Sequence, residues 1–251
     1  MKTPCDWGSD IADGPHAFTP NFIKVRTAAY AAALRARVAL SDGKQTQARD
    51  ELLAVSALGR NAAAGSSLVG TMIQAAVDMK ILDFINAHFG ELNPQTRAEL
   101  SAGLNGRPLR HTVADAMANE QAGFNDWLIE KLESFGTRER DEAKVLENFW
   151  VLMTETFKSE PDLADRIIEA AGGTSEGIIR YIKAVEPHYA RSLAIARASA
   201  SDIKRQTAEF EKAINATTNL LARVVIPNIG KARAKELQFE ERLARLPNAA
   251  P

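Results

Sequence analysis

The sequence predicts an all-α protein. Apolar side chains recur at three- and four-residue steps from Pro20 to Leu246, the period of a helix with a buried face. No run alternates every second residue with β-branched enrichment, as a half-buried strand does. The gaps between periodic runs hold residues that start and stop helices. These observations predict an elongated multi-helix bundle built from antiparallel hairpins: an irregular arm over 1–19, one helical domain over 20–246 and a tail over 247–251.

The arm holds Pro4, Gly8, Gly14 and Pro15 without an apolar period, which marks irregular backbone. Thr19-Pro20 then reads as an N-cap and a first-turn proline. It opens a helix with Phe22, Val25, Ala29, Ala32, Ala36 and Leu40 inward, stopped by Ser41-Asp42-Gly43. A second helix carries Ala48, Leu52, Val55 and Leu58 inward to about Gly65, closing an antiparallel hairpin. A third, about Ser67 to His88, has two apolar stripes: Leu68, Met72, Ala75, Met79 and Leu82, then Val69, Ile73 and Ala76. Apolar on two faces, it is expected to be the central buried helix.

Asn93-Pro94 caps a short fourth helix ending at Gly103 to Gly106, and Thr112 with Asp115 opens a fifth that runs to Phe135-Gly136. Another covers about Asp141 to Lys158 and buries Val145, Phe149, Leu152 and Phe157. Past Glu160-Pro161, Leu163, Ile167, Ile168, Ile178, Ile179 and Ile182 form two short helices about Gly172-Gly173. From Pro187 a heptad step links Tyr189, Leu193, Ala196, Ala200, Ile203, Thr207, Phe210, Ile214, Thr217, Leu221 and Val224. One helix over that span would be roughly 55 Å long at about 1.5 Å per residue. It is expected to be the spine of the bundle or to meet a partner chain. Ile226-Pro227 ends it, and a last helix carries Ile229, Ala232, Phe239, Leu243 and Leu246. The first hairpin is faintly like a tetratricopeptide unit, but no period near about thirty-four residues repeats it.

Charge and composition exclude several partners. Lys+Arg 31 against Asp+Glu 32 leaves a net charge of -1, so no basic field draws the chain to nucleic acid. The longest uncharged stretch, Asn61 to Val77, includes Ser66, Ser67, Thr71 and Gln74 and is too polar and too short to span a membrane. No membrane insertion is expected. The start lacks an apolar core, so it reads as neither a secretory signal nor a lipoprotein leader. A lone Cys5 forms no internal disulfide and leaves the compartment open.

No motif assigns a catalytic residue, a metal or a cofactor. His16, His88, His111 and His188 are scattered, none with a glutamate three residues before it, so Glu-x-x-His and HExxH are absent. His88 reads as a helix C-terminal residue and His111 as a solvated residue before an N-cap. Gly173-Thr174-Ser175-Glu176-Gly177 spells a nucleophile elbow, but that motif needs a strand to present its serine. Here a helix stop followed by an N-cap accounts for the same letters. Glu186-Pro187-His188-Tyr189 reads as a capping cluster. Arg223, Lys231, Arg233 and Lys235 alternate with Glu236, Glu240 and Glu241 as a solvated face. Trp127 and Trp150 take core positions.

Three segments carry a resemblance. Cys5-Asp6-Trp7-Gly8 with Asp13-Gly14-Pro15, the hairpin from Leu34 to Val77, and Asn219 to Leu246 with NLLARVVIPNIGKARAKE resemble a group of helical, envelope-associated proteins of environmental bacteria with no known activity. The resemblance implies an all-α extracytoplasmic module, cut from a longer anchored protein, and supplies no catalytic residue. Trp7 and Asp6 would then tack the arm onto the bundle.

The leading expectation is a non-enzymatic scaffold or interaction module that binds protein through the long helix or the hairpin groove, or that forms a homo-oligomer. Behind it stands a small-ligand or lipid binder, motivated by Met72, Met79, Trp127, Phe149, Trp150 and Met153. A hydrolytic enzyme comes third and needs His88, His111 or His188 to meet carboxylates in space.

Overall fold

Every regular element among the residues that the computed structural model describes (11–17, 20–65, 67–106, 109–139 and 141–246) is helical, with no strand. Cys5, the Cys5-Asp6-Trp7-Gly8 segment, Thr19 and the tail over 247–251 lie outside those residues. In chain order the helices are α1 (Phe22–Ser41), α2 (Gln45–Ala62), α3 (Leu68–Ala87), α4 (Pro94–Leu104), α5 (Val113–Glu120), α6 (Trp127–Arg138) and α7 (Glu142–Thr156). There follow α8 (Leu163–Ala170), α9 (Ser175–Lys183), α10 (Glu186–Ala196), α11 (Ile203–Ala216), α12 (Leu220–Val225) and α13 (Ile229–Ala244). Two compact units hold them: residues 20–116 with 231–246, and residues 11–17 with 117–230.

In the first unit, α1 starts later than Thr19-Pro20 implies. Asn21 is the N-cap, its Oδ1 accepting the Lys24 N–H at 3.0 Å, and an asparagine there satisfies one of the first-turn donors. Ala29, Ala32, Ala36 and Ala39 are buried on the inner side of α1, and side chains this short bring its backbone close to α2. Gly43, at φ 73, supplies the positive φ the connecting turn requires. Leu52, Ile81, Leu82, Ile85, Leu92, Leu100, Leu104 and Phe239 complete the apolar core.

α3 has the expected bounds, with Ser67 as N-cap and His88 as C-cap, but not the expected orientation. Its buried side includes Thr71, Gln74 and Asp78, while Val69, Met72 and Ala76 are exposed. The expectation of a helix apolar on two faces and buried on both is therefore corrected. Polar partners decide the outcome. Ser56 Oγ donates to Asp78 Oδ1 at 2.9 Å, and Arg110 Nε and Arg60 Nη2 lie 3.3 and 3.8 Å from Oδ2. Gln74 donates to the His111 carbonyl at 2.9 Å and accepts the His111 N–H at 3.0 Å. Buried polar groups with such partners avoid the desolvation penalty that would otherwise turn them outward.

In the second unit, Ile11–His16 forms 3-10 turns kinked at Gly14, where the arm was expected to be irregular throughout. Gly14, at φ 61, lies so close to the buried Trp127 indole that a Cβ there would sit 2.4 Å from it. The fifth predicted helix is α5 and α6 joined by a π-helical turn over Gln121–Asp126; Gly123 within it weakens the α-helical alternative. Thr112 and Asp115 form the reciprocal capping box at its start, both bonds 3.0 Å. α7 buries Val145, Phe149 and Met153.

The heptad run after Pro187 is not one helix. α10, α11 and α12 divide it: residues 197–202 are non-helical, and at the second break short polar side chains take backbone bonds. Ser199 Oγ donates to Asp202 Oδ2 at 2.9 Å, and the Ser199 carbonyl accepts the Ile203 N–H. At the second break Asn219 caps α12, accepting the Ala222 N–H at 3.0 Å and donating to the Tyr181 carbonyl at 2.9 Å. The Tyr181 hydroxyl accepts the Leu220 N–H at 2.7 Å.

Candidate interaction surface

α1 has a second apolar face. Ile23, Tyr30, Leu34 and Val38 are 78, 53, 69 and 62% exposed, and their seven- and four-residue steps keep them on one side of the helix. They form one stripe about 22 Å long at about 1.5 Å per residue. Val69, 57% exposed, and Met72 extend the apolar surface on α3. α1 and α3 pack side by side, and Arg26, Ala29, Tyr30, Ala76, Val77 and Lys80 line a shallow groove between them. Single exposed apolar residues are ordinary; these four are aligned along one helix face.

The local fold produces this surface from both helices. On α1 the alanines occupy the inside, which leaves the larger side chains at 23, 30, 34 and 38 exposed on the outside. On α3 the inward bonds of Gln74 and Asp78 turn Val69, Met72 and Ala76 outward. Beneath the surface, burial pushes the Asp78 carboxyl up, and Arg60, Arg110 and Ser56 pull it back. Burial lowers the Arg60 guanidinium, which donates to the Leu104 and Gly106 carbonyls at 2.6 and 3.0 Å. The Arg110 guanidinium lies 4.2 Å from the Phe239 ring centroid.

Charge around the groove is one-sided. α1 carries Lys24, Arg26, Arg35 and Arg37 and no carboxylate. Arg35 pairs with Glu51 at 2.8 Å, and Arg37 pairs with Glu91. Lys24, Arg26 and Lys80 have no ion pair among the described residues; Lys80 Nζ stands 5.0 Å from the Tyr30 ring centroid.

Of the residues weighed for chemistry, His88 meets a carboxylate, and that carboxylate is engaged by an arginine. His88 stacks on Phe84 at 4.6 Å and bonds Glu91 at 2.9 Å, and that bond with the Arg37 guanidinium holds the Glu91 carboxyl below its usual range. His111 is half-buried in the first unit and His188 sits at the start of α10 in the second. Burial lowers both imidazoles; Asp115 pulls His111 back, and Arg191 pushes His188 further down. No cluster of three or more His, Cys, Asp or Glu suited to a metal occurs among the described residues.

Ser175 follows a helix stop at Gly172 and Gly173, both at positive φ, and an N-cap at Thr174 whose Oγ1 accepts the Gly177 N–H at 3.1 Å. Its own N–H and Oγ donate to Glu142 at 2.5 and 3.1 Å. Glu186-Pro187-His188-Tyr189 does not cap α10; Val185 takes that position and Tyr189 is buried, its hydroxyl raised by burial with Glu120 and Asp126 adding to it. Arg233 pairs with Glu236 and Glu240 at 2.6 and 3.1 Å. Of the aromatic and methionine set, Phe149 and Met153 are core, Trp127 is buried, and Trp150 is part-exposed and donates to Asp165 at 3.1 Å.

The outer residues of α1 were missed because a helix is normally read for one apolar face. A signal was present: a second stripe, offset from the alanines, on a helix with four cations and no acid. Fold and surface together define an all-α protein with an uncovered apolar helix face. No known family matches the chain, and neither the curated proteins nor the solved structures hold a similar one.

Proposed function

We propose that this chain is a non-enzymatic protein-interaction module that binds through the outer face of α1. The observation that carries this reading is the stripe of Ile23, Tyr30, Leu34 and Val38, each more than half exposed. Covering such side chains is favourable by about 25 cal/mol per Å² of apolar surface removed from water. The long-helix route falls away, since the heptad residues are divided among α10, α11 and α12, and the contact is put on α1 beside α3 rather than in the groove of the α1–α2 hairpin. The resemblance to envelope-associated proteins supports a place in the bacterial envelope.

The test is a photo-crosslinking side chain at position 34, with position 47, exposed on α2, as the control. The expected result is a discrete adduct from position 34 alone, identified by mass spectrometry, rebuilt from the two purified proteins and lost in Val38→Asp. Equal labelling from both positions, or none, refutes the reading.

A small-ligand reading rests on a different observation, a groove of about 290 Å³ lined by Thr207, Phe210, Ile214, Ile226, Pro227 and Gly230. That size sits at the lower edge of small-molecule sites. Saturable shifts of these residues in NMR titrations with fatty acids or small aromatic compounds are its test; no shift removes it.

A further inference from the structure

We infer that the occupant of the α1–α3 groove is an amphipathic helix of a partner protein whose polar flanks carry carboxylates. The inference rests on the interaction reading above and names the chemistry of its partner. Shape supplies the first half of the argument. The groove lies between two helices packed side by side, is about 50 Å³ in volume, and has Ala29 and Ala76 as the small residues of its lining. A groove of that size takes the tip of one apolar side chain of an incoming helix, with Tyr30 and the stem of Lys80 beside it. The stripe from Ile23 to Val38 covers about four helical turns, enough for anchors at i, i+4, i+7 and i+11.

Charge supplies the second half. The cations along α1 fall into two groups. Arg35 and Arg37, near its C-terminal half, already have Glu51 and Glu91. Arg26 and Lys80, which line the groove, have no carboxylate partner among the described residues. A partner that buries the groove must desolvate Arg26 and Lys80, which line it, and desolvated cations need opposite charge to avoid a large penalty. A second copy docking face to face would set these cations against their own kind, which costs several kcal/mol in general. An anionic bilayer offers negative charge but a flat surface, which leaves the concavity over Ala76 unfilled.

The probe is a synthetic, fluorescein-labelled helix of about 18 residues with a leucine stripe and glutamate flanks, titrated with the full chain and read by anisotropy. Matched peptides carry lysine or glutamine flanks, and phosphatidylcholine vesicles with and without phosphatidylglycerol form a second arm. The inference expects the glutamate peptide to bind tightest, added salt to weaken it, and R26E/K80E to raise its Kd at least about tenfold with helix content unchanged. Leu34→Asp removes binding of all three peptides. Equal binding of the lysine peptide, indifference to R26E/K80E, or binding only to anionic vesicles overturns it. A partner crosslinked at position 34 whose affinity ignores R26E/K80E sinks this inference alone; the absence of any face-specific adduct sinks the reading beneath it.

Discussion

Asp78→Asn tests the reason α3 points as it does. The carboxylate is fully buried between Arg60, also buried, and Arg110, with Oδ2 at 3.8 and 3.3 Å from their guanidinium nitrogens. At about 4 Å and an effective dielectric near 20, each such contact contributes about 4 kcal/mol before desolvation is subtracted. Replacing the anion by a neutral amide of the same shape leaves a buried and a part-buried cation without the charge between them. Breaking a buried ion cluster in this way costs about 3–5 kcal/mol. For a chain of 251 residues this lowers Tm by roughly 6–20 °C, at about 2–4 °C per kcal/mol. Urea unfolding followed by circular dichroism measures the loss, and Asp78→Asn with Arg110→Met completes a double-mutant cycle. The double variant should lose clearly less than the sum of the singles, since removing one cation relieves part of the repulsion. A loss below about 1 kcal/mol, or simple additivity, refutes the argument that this cluster orients α3.

The two faces of α1 should respond in opposite ways. Ala36→Leu, at a fully buried position, overpacks the seam and costs about 1–3 kcal/mol, whereas Leu34→Ser changes stability by less than about 0.5 kcal/mol; chemical denaturation of both variants decides it. Gly14→Ala forces a Cβ against Trp127 at positive φ and costs about 1–2 kcal/mol. Faster hydrogen exchange over 11–16 with a shifted tryptophan emission is the readout, and an unchanged protein contradicts the close approach. His111 and His188 both titrate below their ordinary value in the folded chain, so the unfolded chain takes up these protons first as pH falls. The stability they contribute is present above about pH 6.5 and lost as pH drops toward their folded values; a urea midpoint that falls between pH 7.5 and 5.5, less steeply in His111→Gln, bears this out.

Most of the fold was legible because helix ends are local events. Ser67, Asn93, Asp141 and Thr174 each accept a first-turn N–H, as their identity and position predict. The errors arose where a distant partner outweighs the local pattern. Asp78 sits where hydropathy alone would put solvent, and only the positions of Ser56, Arg60 and Arg110 make its burial affordable. The division of the heptad run depends in part on Tyr181, 38 residues from the Asn219 it accepts a bond from. The surface on α1 went unread for a different reason: Ala29, Ala32 and Ala36 were expected inside and are, but the larger residues this leaves outside, Ile23, Tyr30, Leu34 and Val38, were not read as a second face.

The alanine seam of α1 has an evolutionary consequence. Where two backbones meet across side chains of one carbon, a longer residue on one helix finds room only if its counterpart on the other shrinks at the same time. A longer residue at Ala29, Ala32, Ala36 or Ala39 is therefore expected to need a matching reduction on α2, or beside Ala29 on α3, whereas the outward residues of the same helix need none.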